Sequence, residues 1–207
     1  MRLIGMLDSP YVRRVAISLD RLGLPFEHES LSVFRHFEAF AAINPVVKAP
    51  SLVTDEGVVL MDSTLILEHA ERLAGPDASL APASLTDHAR AQRILGLALV
   101  ACEKTVQLVY EHQLRPEERR HLPWVERVSG QLHAAYAALE AEVAAHAGGE
   151  GWLFGARPLQ ADITAAVTLS FTRHMRPDAL AGTPLPALAA LTEQAEALDA
   201  FRRWPIG

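Results

Sequence analysis

The stretch Asn44-Pro45-Val46-Val47-Lys48-Ala49-Pro50-Ser51-Leu52-Val53 decides how the first half of the chain is interpreted. Pro45 and Pro50 each fix φ and remove a backbone donor, which is typical of a turn. Pro50 also disfavours a helical Ala49, so Ala49 is expected to be extended beside the strand that follows. The N–H and C=O of such a residue can pair with a peptide-like ligand. An ordinary loop entering a strand is the alternative, and a cis Ala49-Pro50 bond would favour the ligand-binding interpretation.

Composition restricts the class of protein. The 207 residues, 50% of them hydrophobic, fit one large domain or two small ones with ample core. A formal net charge of −6 without a basic run disfavours binding to nucleic acid. The one cysteine, Cys102, excludes an internal disulfide and a cysteine-based metal cluster, and the histidines lack metal-binding spacing. We therefore expect no metal.

The apolar runs of the sequence indicate no targeting signal. The apolar run that starts at Leu3 is too short for a signal peptide, and no window approaches a membrane span of about 18 apolar residues. We therefore expect a cytoplasmic protein with no membrane partner. A single cysteine also fits a reducing compartment.

The first 75 residues alternate strand and helix signals. Ser9-Pro10 and Asp62-Ser63 are the clearest helix starts, because Ser and Asp accept hydrogen bonds from unpaired N–H groups at a helix N-terminus. The predicted elements are strands over 3–7 and 24–31, a helix over 10–22, a short irregular helix over 35–43, a hairpin of 51–54 and 58–61, and a helix over 64–73.

Strand signals disappear after the proline-bounded segment 76–82. Four helices are predicted, over 86–115, 124–147, 161–175 and 187–198. Gly148-Gly149 is expected to end the second helix, and the tail from Phe201 to Trp204 is expected to pack back against the protein. The predicted organisation is an α/β domain over 1–75 with a mixed four-stranded sheet, a linker over 76–85, and an all-helical domain over 86–207.

Four motifs occur in order across nearly the whole chain. They are Ser9-Pro10-Tyr11-Val12-Arg13-Arg14-Val15, the stretch 44–52, Met61-Asp62-Ser63-Thr64-Leu65-Ile66-Leu67, and Ala161-Asp162-Ile163. Together they resemble the soluble (cytosolic) glutathione transferases, of the bacterial type with a serine near the end of the first strand. The resemblance implies a thioredoxin-like N-terminal domain, an all-α C-terminal bundle and usually a homodimer. The fold also serves proteins without transfer chemistry, so it implies the activity less strongly.

The resemblance implies a three-part site for glutathione as co-substrate. Ala49 and Pro50 match the place where the backbone pairs with the cysteinyl part, with Pro50 as a cis residue. Lys48 matches a position that contacts the glycyl carboxylate, and a solvated surface charge is the alternative. Asp62 and Ser63 match the pair that holds the γ-glutamyl end, which suits a helix N-terminus. Plain helix capping would explain the same two residues.

Two positions depart from the family's pattern. Val47 stands where the family often has glycine, so this turn is bulkier. Leu159 stands where a Ser or Thr usually caps the helix that contains Asp162, so that side-chain cap is missing and we expect a weaker helix start. We expect Asp162 to bond to backbone N–H groups and to matter for folding rather than for catalysis.

Ser9 is the predicted catalytic residue. A thiolate is favoured at a helix N-terminus and by a hydrogen-bond donor, and the family places Tyr, Ser or Cys near the end of the first strand. No tyrosine precedes Tyr11, which lies within the helix, and no cysteine precedes Cys102. Ser9 remains, although capping alone would explain it. The missing cysteine argues against subfamilies that form mixed disulfides with glutathione.

The implied activity is conjugation of the glutathione thiolate to small hydrophobic electrophiles, as in detoxification. The pocket for the electrophile is expected between the domains, with Leu7, Tyr11, Phe34 and Tyr110 as candidate lining residues. Two alternatives remain open: a non-catalytic binding or interaction protein with this fold, and a glutathione-dependent peroxidase or isomerase, which needs the same thiolate.

Overall fold

The computed structural model describes residues 1–146 and 151–207, and these form two compact units. The first unit contains Met1–Leu80 together with Ala197–Gly207, and the second contains Ala81–Glu196. The predicted helix stop at Gly148-Gly149 lies outside the described residues.

A mixed four-stranded sheet in the order β2-β1-β3-β4 organises the first unit. The strands are β1 (Arg2–Ile4), β2 (Glu27–Glu29), β3 (Ser51–Val53) and β4 (Val59–Met61). β1 is parallel to β2 and antiparallel to β3, which is antiparallel to β4. Because Ser51 pairs with both Ile4 and Met61, the carboxyl ends of β1 and β4 meet the start of β3. We call this the Ser51 end of the sheet.

Three helices complete the α/β part of this unit: α1 (Pro10–Arg21), α2 (Phe37–Ile43) and α3 (Ser63–Ala74). α1 packs against α3 and against β1. The helix α1 buries Val12, Val15 and Leu19 completely, as their helical spacing predicts. Since α3 begins directly after β4, its N-terminus lies at the Ser51 end of the sheet.

The second unit is helical. Its helices are α4 (Leu85–Gln113), α5 (Leu122–His146), α6 (Gln160–Met175) and α7 (Pro186–Glu196), with 3-10 turns at Glu117–Arg119 and Pro177–Leu180. α4 packs on α5 and α6, and α7 packs on α5 and α6. The core between them includes Ile94, Leu132, Tyr136, Leu139 and Leu169, each with no exposed surface. The predicted fold class, a mixed four-stranded α/β domain with an all-helical part, is confirmed.

The sequence analysis includes the C-terminal tail in the helical domain over 86–207. In the structure, Ala197–Gly207 instead makes its contacts within the first unit. A short helix, α8 (Asp199–Arg203), packs on α1. The Arg13 Nε donates to the Trp204 carbonyl at 2.8 Å, and the Trp204 ring stacks on Phe26 with centroids 4.9 Å apart. An aromatic ring and a buried guanidinium therefore hold the tail in place.

Across residues 1–146 and 151–207, no helix combines the length and the apolar character that a membrane span requires.

Candidate functional site

The Ser51 end of the sheet brings the predicted loop against the first turn of α1. Gly5, which follows β1, has φ of 137°. A Cβ added to Gly5 would lie 2.6 Å from Val12 Cγ2 and 3.2 Å from Ala49 Cβ. Glycine therefore permits the close approach between Ala49 and the helix that carries Ser9 at its start.

The loop from Asn44 to Ser51 contains the cis-proline turn that the family resemblance implies. The Ala49-Pro50 peptide bond is cis, which confirms the prediction. Among the described residues, the N–H and C=O of Ala49 pair with no other group of the protein. The half-buried Ala49 thus presents one donor and one acceptor at the Ser51 end of the sheet.

Val47 adopts a backbone conformation that valine rarely takes. Its φ is 52°, in the left-handed region where a β-branched side chain crowds the backbone. This conformation costs a non-glycine residue about 1–2 kcal/mol, which explains why glycine suits the position. Val47 therefore keeps a positive φ at a cost in strain next to Lys48.

Lys48 points its ammonium group toward α1. Its Nζ lies 5.9 Å from the centroid of the Tyr11 ring, within the range of a cation–π contact. Lys48 is exposed and Tyr11 is half-buried, so the cation stays in contact with solvent. The arrangement is compatible with either predicted interpretation of Lys48, as a carboxylate-binding group or as a surface charge.

Asp62 and Ser63 form the start of α3. Asp62 has φ of 46° and accepts a hydrogen bond from the Thr64 N–H at 2.8 Å, which is the capping role that the sequence allows. The carboxylate is exposed, whereas Ser63 is only 2% exposed. The cap uses one Asp62 oxygen, so the second oxygen can accept from a ligand.

Arg14 is a site residue that sequence reasoning missed. It is 2% exposed and donates from Nη1 to Ser63 Oγ at 3.0 Å and to Thr64 Oγ1 at 3.4 Å. Its buried positive charge adds to the partial positive charge of the α3 N-terminus, which favours an anionic group there. The sequence feature that could have indicated this role is the pair Arg13-Arg14, which stands between the apolar residues Val12 and Val15 of α1.

Ser9 caps α1 as the sequence predicts. Its Oγ accepts from the Val12 N–H at 3.4 Å, and the side chain is half-buried. Since the cap uses the hydroxyl as an acceptor, its proton can still be donated to another group. Capping and stabilisation of a thiolate are therefore compatible at this position.

The four candidate lining residues are divided between the two units. Leu7 and Tyr11 are half-buried and Phe34 is 56% exposed in the first unit. Tyr110 lies on α4 in the second unit and is 45% exposed. Their shared pocket remains a prediction.

Cys102 lies on α4 in the second unit, and no predicted role in the reaction depends on it. It is 1% exposed, and its Sγ lies 3.1 Å from Thr168 Oγ1 within the helical unit. Where the structure describes the chain, no group of three or more His, Cys, Asp or Glu residues is arranged to hold a metal ion.

The start of α6 shows the structural role predicted for Asp162. The carboxylate is fully buried and accepts from the Leu153 N–H at 2.9 Å and from the Leu159 N–H at 2.8 Å. Burial raises the pKa of Asp162 above its usual range, although these N–H bonds oppose the shift. Leu159 provides no side-chain cap, as predicted.

Comparison with known proteins now identifies the family. The glutathione S-transferase N-terminal domain family matches residues 3–78, and the glutathione S-transferase C-terminal domain family matches residues 123–204. The chain belongs to the glutathione S-transferase family. An N-terminal and a C-terminal domain of the family are thus matched, in the order that the sequence motifs predict.

Three relatives show how far the likeness extends. A glutathione S-transferase from Methylobacterium radiotolerans, solved in complex with glutathione sulfonate, is 30% identical, with a TM-score of 0.84 over 98% of this chain and 92% of that chain. Maleylacetoacetate isomerase of Pseudomonas aeruginosa is 28% identical over 98% of this chain and 94% of its own length. The uncharacterized GST-like protein YibF of Escherichia coli is 35% identical over 98 residues, which are 47% of this chain and 48% of that protein. The chain therefore matches about half the length of this last relative.

Proposed function

We propose that this transferase binds glutathione at the Ser51 end of the sheet, ionises its thiol beside Ser9 and transfers the thiolate to a small hydrophobic electrophile. The observation that carries the proposal is the Ala49 amide, which is unpaired among the described residues and lies against the first turn of α1. A relative that shares the fold over 98% of this chain was solved with glutathione sulfonate, which supports a glutathione site.

The groups at this end of the sheet match the chemistry of glutathione along its length. The Ala49 N–H and C=O would pair with the cysteinyl backbone, as in strand addition. The α3 N-terminus, with Ser63 and the buried Arg14, would bind the γ-glutamyl carboxylate, and Asp62 would bind the ammonium group. Lys48 would contact the glycyl carboxylate as a point charge.

Ser9 would stabilise the thiolate by donating its hydroxyl proton to the sulfur. The N-terminal dipole of α1 acts in the same direction, and each unit by which the thiol pKa falls represents about 1.4 kcal/mol. In conjugation the sulfur forms a bond to an electrophilic carbon while a leaving group departs with the bonding electrons. Leu7, Tyr11, Phe34 and Tyr110 would supply apolar surface for that electrophile.

Isomerisation is the second candidate function. Its support is the match to maleylacetoacetate isomerase over 94% of that enzyme's length. In an isomerisation the thiolate adds to the substrate and is later expelled, so glutathione is regenerated. Measurement of total glutathione during turnover distinguishes the two reactions, because only conjugation consumes it.

Retention on immobilised glutathione, followed by turnover with an aryl halide, tests the proposal. We expect the wild type to be retained and to be eluted by free glutathione. Ser9→Ala should lower kcat by about 100-fold, the lower end of the range of general acid–base and electrostatic effects. Its affinity for glutathione should stay within about twofold.

A matched control exists for this experiment. Ser84 caps α4 by accepting from the Asp87 N–H at 3.3 Å, so Ser84→Ala removes a comparable cap in the second unit. We expect Ser84→Ala to keep full turnover. Unchanged turnover in Ser9→Ala would remove Ser9 from the mechanism, and a wild type that is not retained would favour a binding protein of another specificity.

We also propose a cytoplasmic homodimer, which is the usual assembly of the family. The single cysteine of the chain supports a reducing compartment. Sedimentation equilibrium of the purified protein measures the assembly directly.

A further inference from the structure

Two buried polar side chains connect the ends of the loop that carries Ala49. Asn44 is 3% exposed and Ser51 is 0% exposed. Asn44 Nδ2 donates to Ser51 Oγ at 2.8 Å, and Ser51 Oγ donates to the Lys48 carbonyl at 2.7 Å. We call this chain of hydrogen bonds the Asn44–Ser51 relay.

The direction of the relay is fixed by the chemistry of its members. The Nδ2 group of Asn44 only donates, because Asn44 Oδ1 is the acceptor that takes the Val46 N–H at 3.1 Å. Ser51 Oγ must therefore accept from Asn44, and its single proton is directed to the Lys48 carbonyl. Hydrogen bonds arranged in such a chain polarise and strengthen one another.

The relay determines where the Ala49 N–H points. In the trans peptide between Lys48 and Ala49, the C=O and the N–H point in opposite directions. Since Ser51 holds the Lys48 carbonyl inside the protein, the Ala49 N–H must face away from Ser51. This N–H is the group with no partner among the described residues.

Asn44 also holds the strained half of the loop. Its backbone carbonyl accepts the Val47 N–H at 2.9 Å, and Val47 is the residue with φ of 52°. One residue therefore restrains Val46 and Val47 directly, and Lys48 through Ser51. A conformation this costly persists only where its surroundings hold it in place.

We propose that Asn44 and Ser51 are positioning residues for glutathione, which preorient the Ala49 amide for the ligand carbonyl without touching the ligand. The inference rests on the proposed function. The relay fixes the donor before the ligand arrives, so binding does not have to order the loop. Removal of the relay leaves the donor in place but lets the peptide plane rotate.

Ser51→Ala tests the relay, because it removes the donor to the Lys48 carbonyl with the loss of one oxygen. We expect the dissociation constant of glutathione, measured by calorimetry, to rise about tenfold, which corresponds to about 1.4 kcal/mol. At saturating glutathione kcat should stay within about twofold, because Ser9 is not affected. Asn44→Asp is the second variant: its carboxylate would accept the Ser51 proton, reverse the relay and weaken binding similarly.

Thr54→Ala is the matched control. Thr54 is a buried residue that follows the other end of β3, and its hydroxyl accepts from the Val58 N–H at 3.2 Å. Its hydrogen bonds among the described residues go to Gly57 and Val58, not to the Ala49 loop. We expect this variant to lose stability as Ser51→Ala does while it keeps the wild-type affinity. Equal losses of affinity in Ser51→Ala and Thr54→Ala would show a merely structural role and overturn the inference.

Amide hydrogen exchange in the glutathione complex provides a readout at the residue itself. In the wild type the Ala49 and Ser63 amides should both become protected. In Ser51→Ala the Ala49 protection should be lost while the Ser63 protection remains. Retained Ala49 protection in that variant overturns the inference and leaves the proposed function intact, whereas a wild type that binds no glutathione overturns both.

Discussion

The helices α3 and α6 both begin beside an aspartate that accepts backbone N–H groups, but the two aspartates have opposite surroundings. Asp62 at the start of α3 is exposed and accepts one N–H, from Thr64 at 2.8 Å. Asp162 at the start of α6 is fully buried and accepts two, from Leu153 at 2.9 Å and Leu159 at 2.8 Å.

This difference supports the proposed ligand-binding role of Asp62 and the folding role of Asp162. At α6 both carboxylate oxygens are engaged by the protein and shielded from solvent. At α3 the cap occupies one oxygen of Asp62. The guanidinium of Arg14, which donates to Ser63 Oγ, places a positive charge at the same helix start. A capping residue can therefore also serve a ligand only where the fold leaves its second acceptor exposed.

The largest expected effect comes from Asp162→Ala. It leaves two buried N–H groups without an acceptor, at a cost of about 1–3 kcal/mol each, so unfolding in urea should require about 3 kcal/mol less. Asp62→Ala is the matched control and should cost only about 1 kcal/mol, the usual effect of a lost cap. Equal losses in the two variants would contradict the distinction between the two helix starts.

Asp62→Asn should change binding and leave stability almost unaltered. Asparagine caps a helix as well as aspartate does, so the free energy of unfolding should stay within about 0.5 kcal/mol. The ammonium group of glutathione loses an anionic partner, which should weaken calorimetric binding by about tenfold. Asp77→Asn, an exposed change elsewhere in the first unit, is the control with unchanged affinity.

Local chemistry made the starts of α1 and α3 predictable from the sequence. Ser9-Pro10 and Asp62-Ser63 cap α1 and α3 where their residue types indicate. The missing cap at Leu159 was also predictable, because leucine has no acceptor. The first strand ends earlier than predicted: β1 is Arg2–Ile4, so the apolar run 3–7 contributes only Leu3 and Ile4 to the sheet, since Gly5 turns the chain toward α1.

Long-range contacts were not predictable from local patterns. Arg14 and Ser63 are 49 residues apart, and Arg13 and Trp204 are 191 residues apart. Whether an arginine on α1 faces solvent or another helix start depends on the packing of α1 against α3, which no residue spacing encodes. The Asn44–Ser51 relay was not predictable for a different reason: both residues lie within 44–53, but their side chains meet only because the turn between them folds back, which the residue types alone do not specify.

Val47→Gly should increase the stability of the protein, because it relieves the backbone strain of the loop. The left-handed conformation costs valine about 1–2 kcal/mol, and glycine loses about 0.5–1 kcal/mol of backbone entropy, so a gain of up to about 1 kcal/mol is expected in urea unfolding. Val46→Gly is the control, because Val46 is exposed and not among the positive-φ residues. A loss of stability in Val47→Gly would disprove the strain at this position.

The smallest expected effect is a pH dependence at Asp162. Burial raises its folded pKa above that of the unfolded chain, so the folded state keeps this proton to higher pH. The associated stabilisation is present below the unfolded pKa and is lost as pH rises through the folded pKa. Relative to Asp162→Asn, the wild type should gain unfolding free energy as pH falls from 7 to about 4. A difference that does not change with pH would contradict the raised pKa.

A glutathione titration of the isotope-labelled protein, followed by amide NMR, tests the central claim most directly. The claim is that the Ser51 end of the sheet binds glutathione, whereas the N–H groups beside the start of α6 are already bonded to Asp162. We expect saturable shifts of the Ala49 and Ser63 amides and unchanged Leu153 and Leu159 amides. No saturable shift at Ala49 and Ser63, or shifts concentrated at Leu153 and Leu159, would contradict the account.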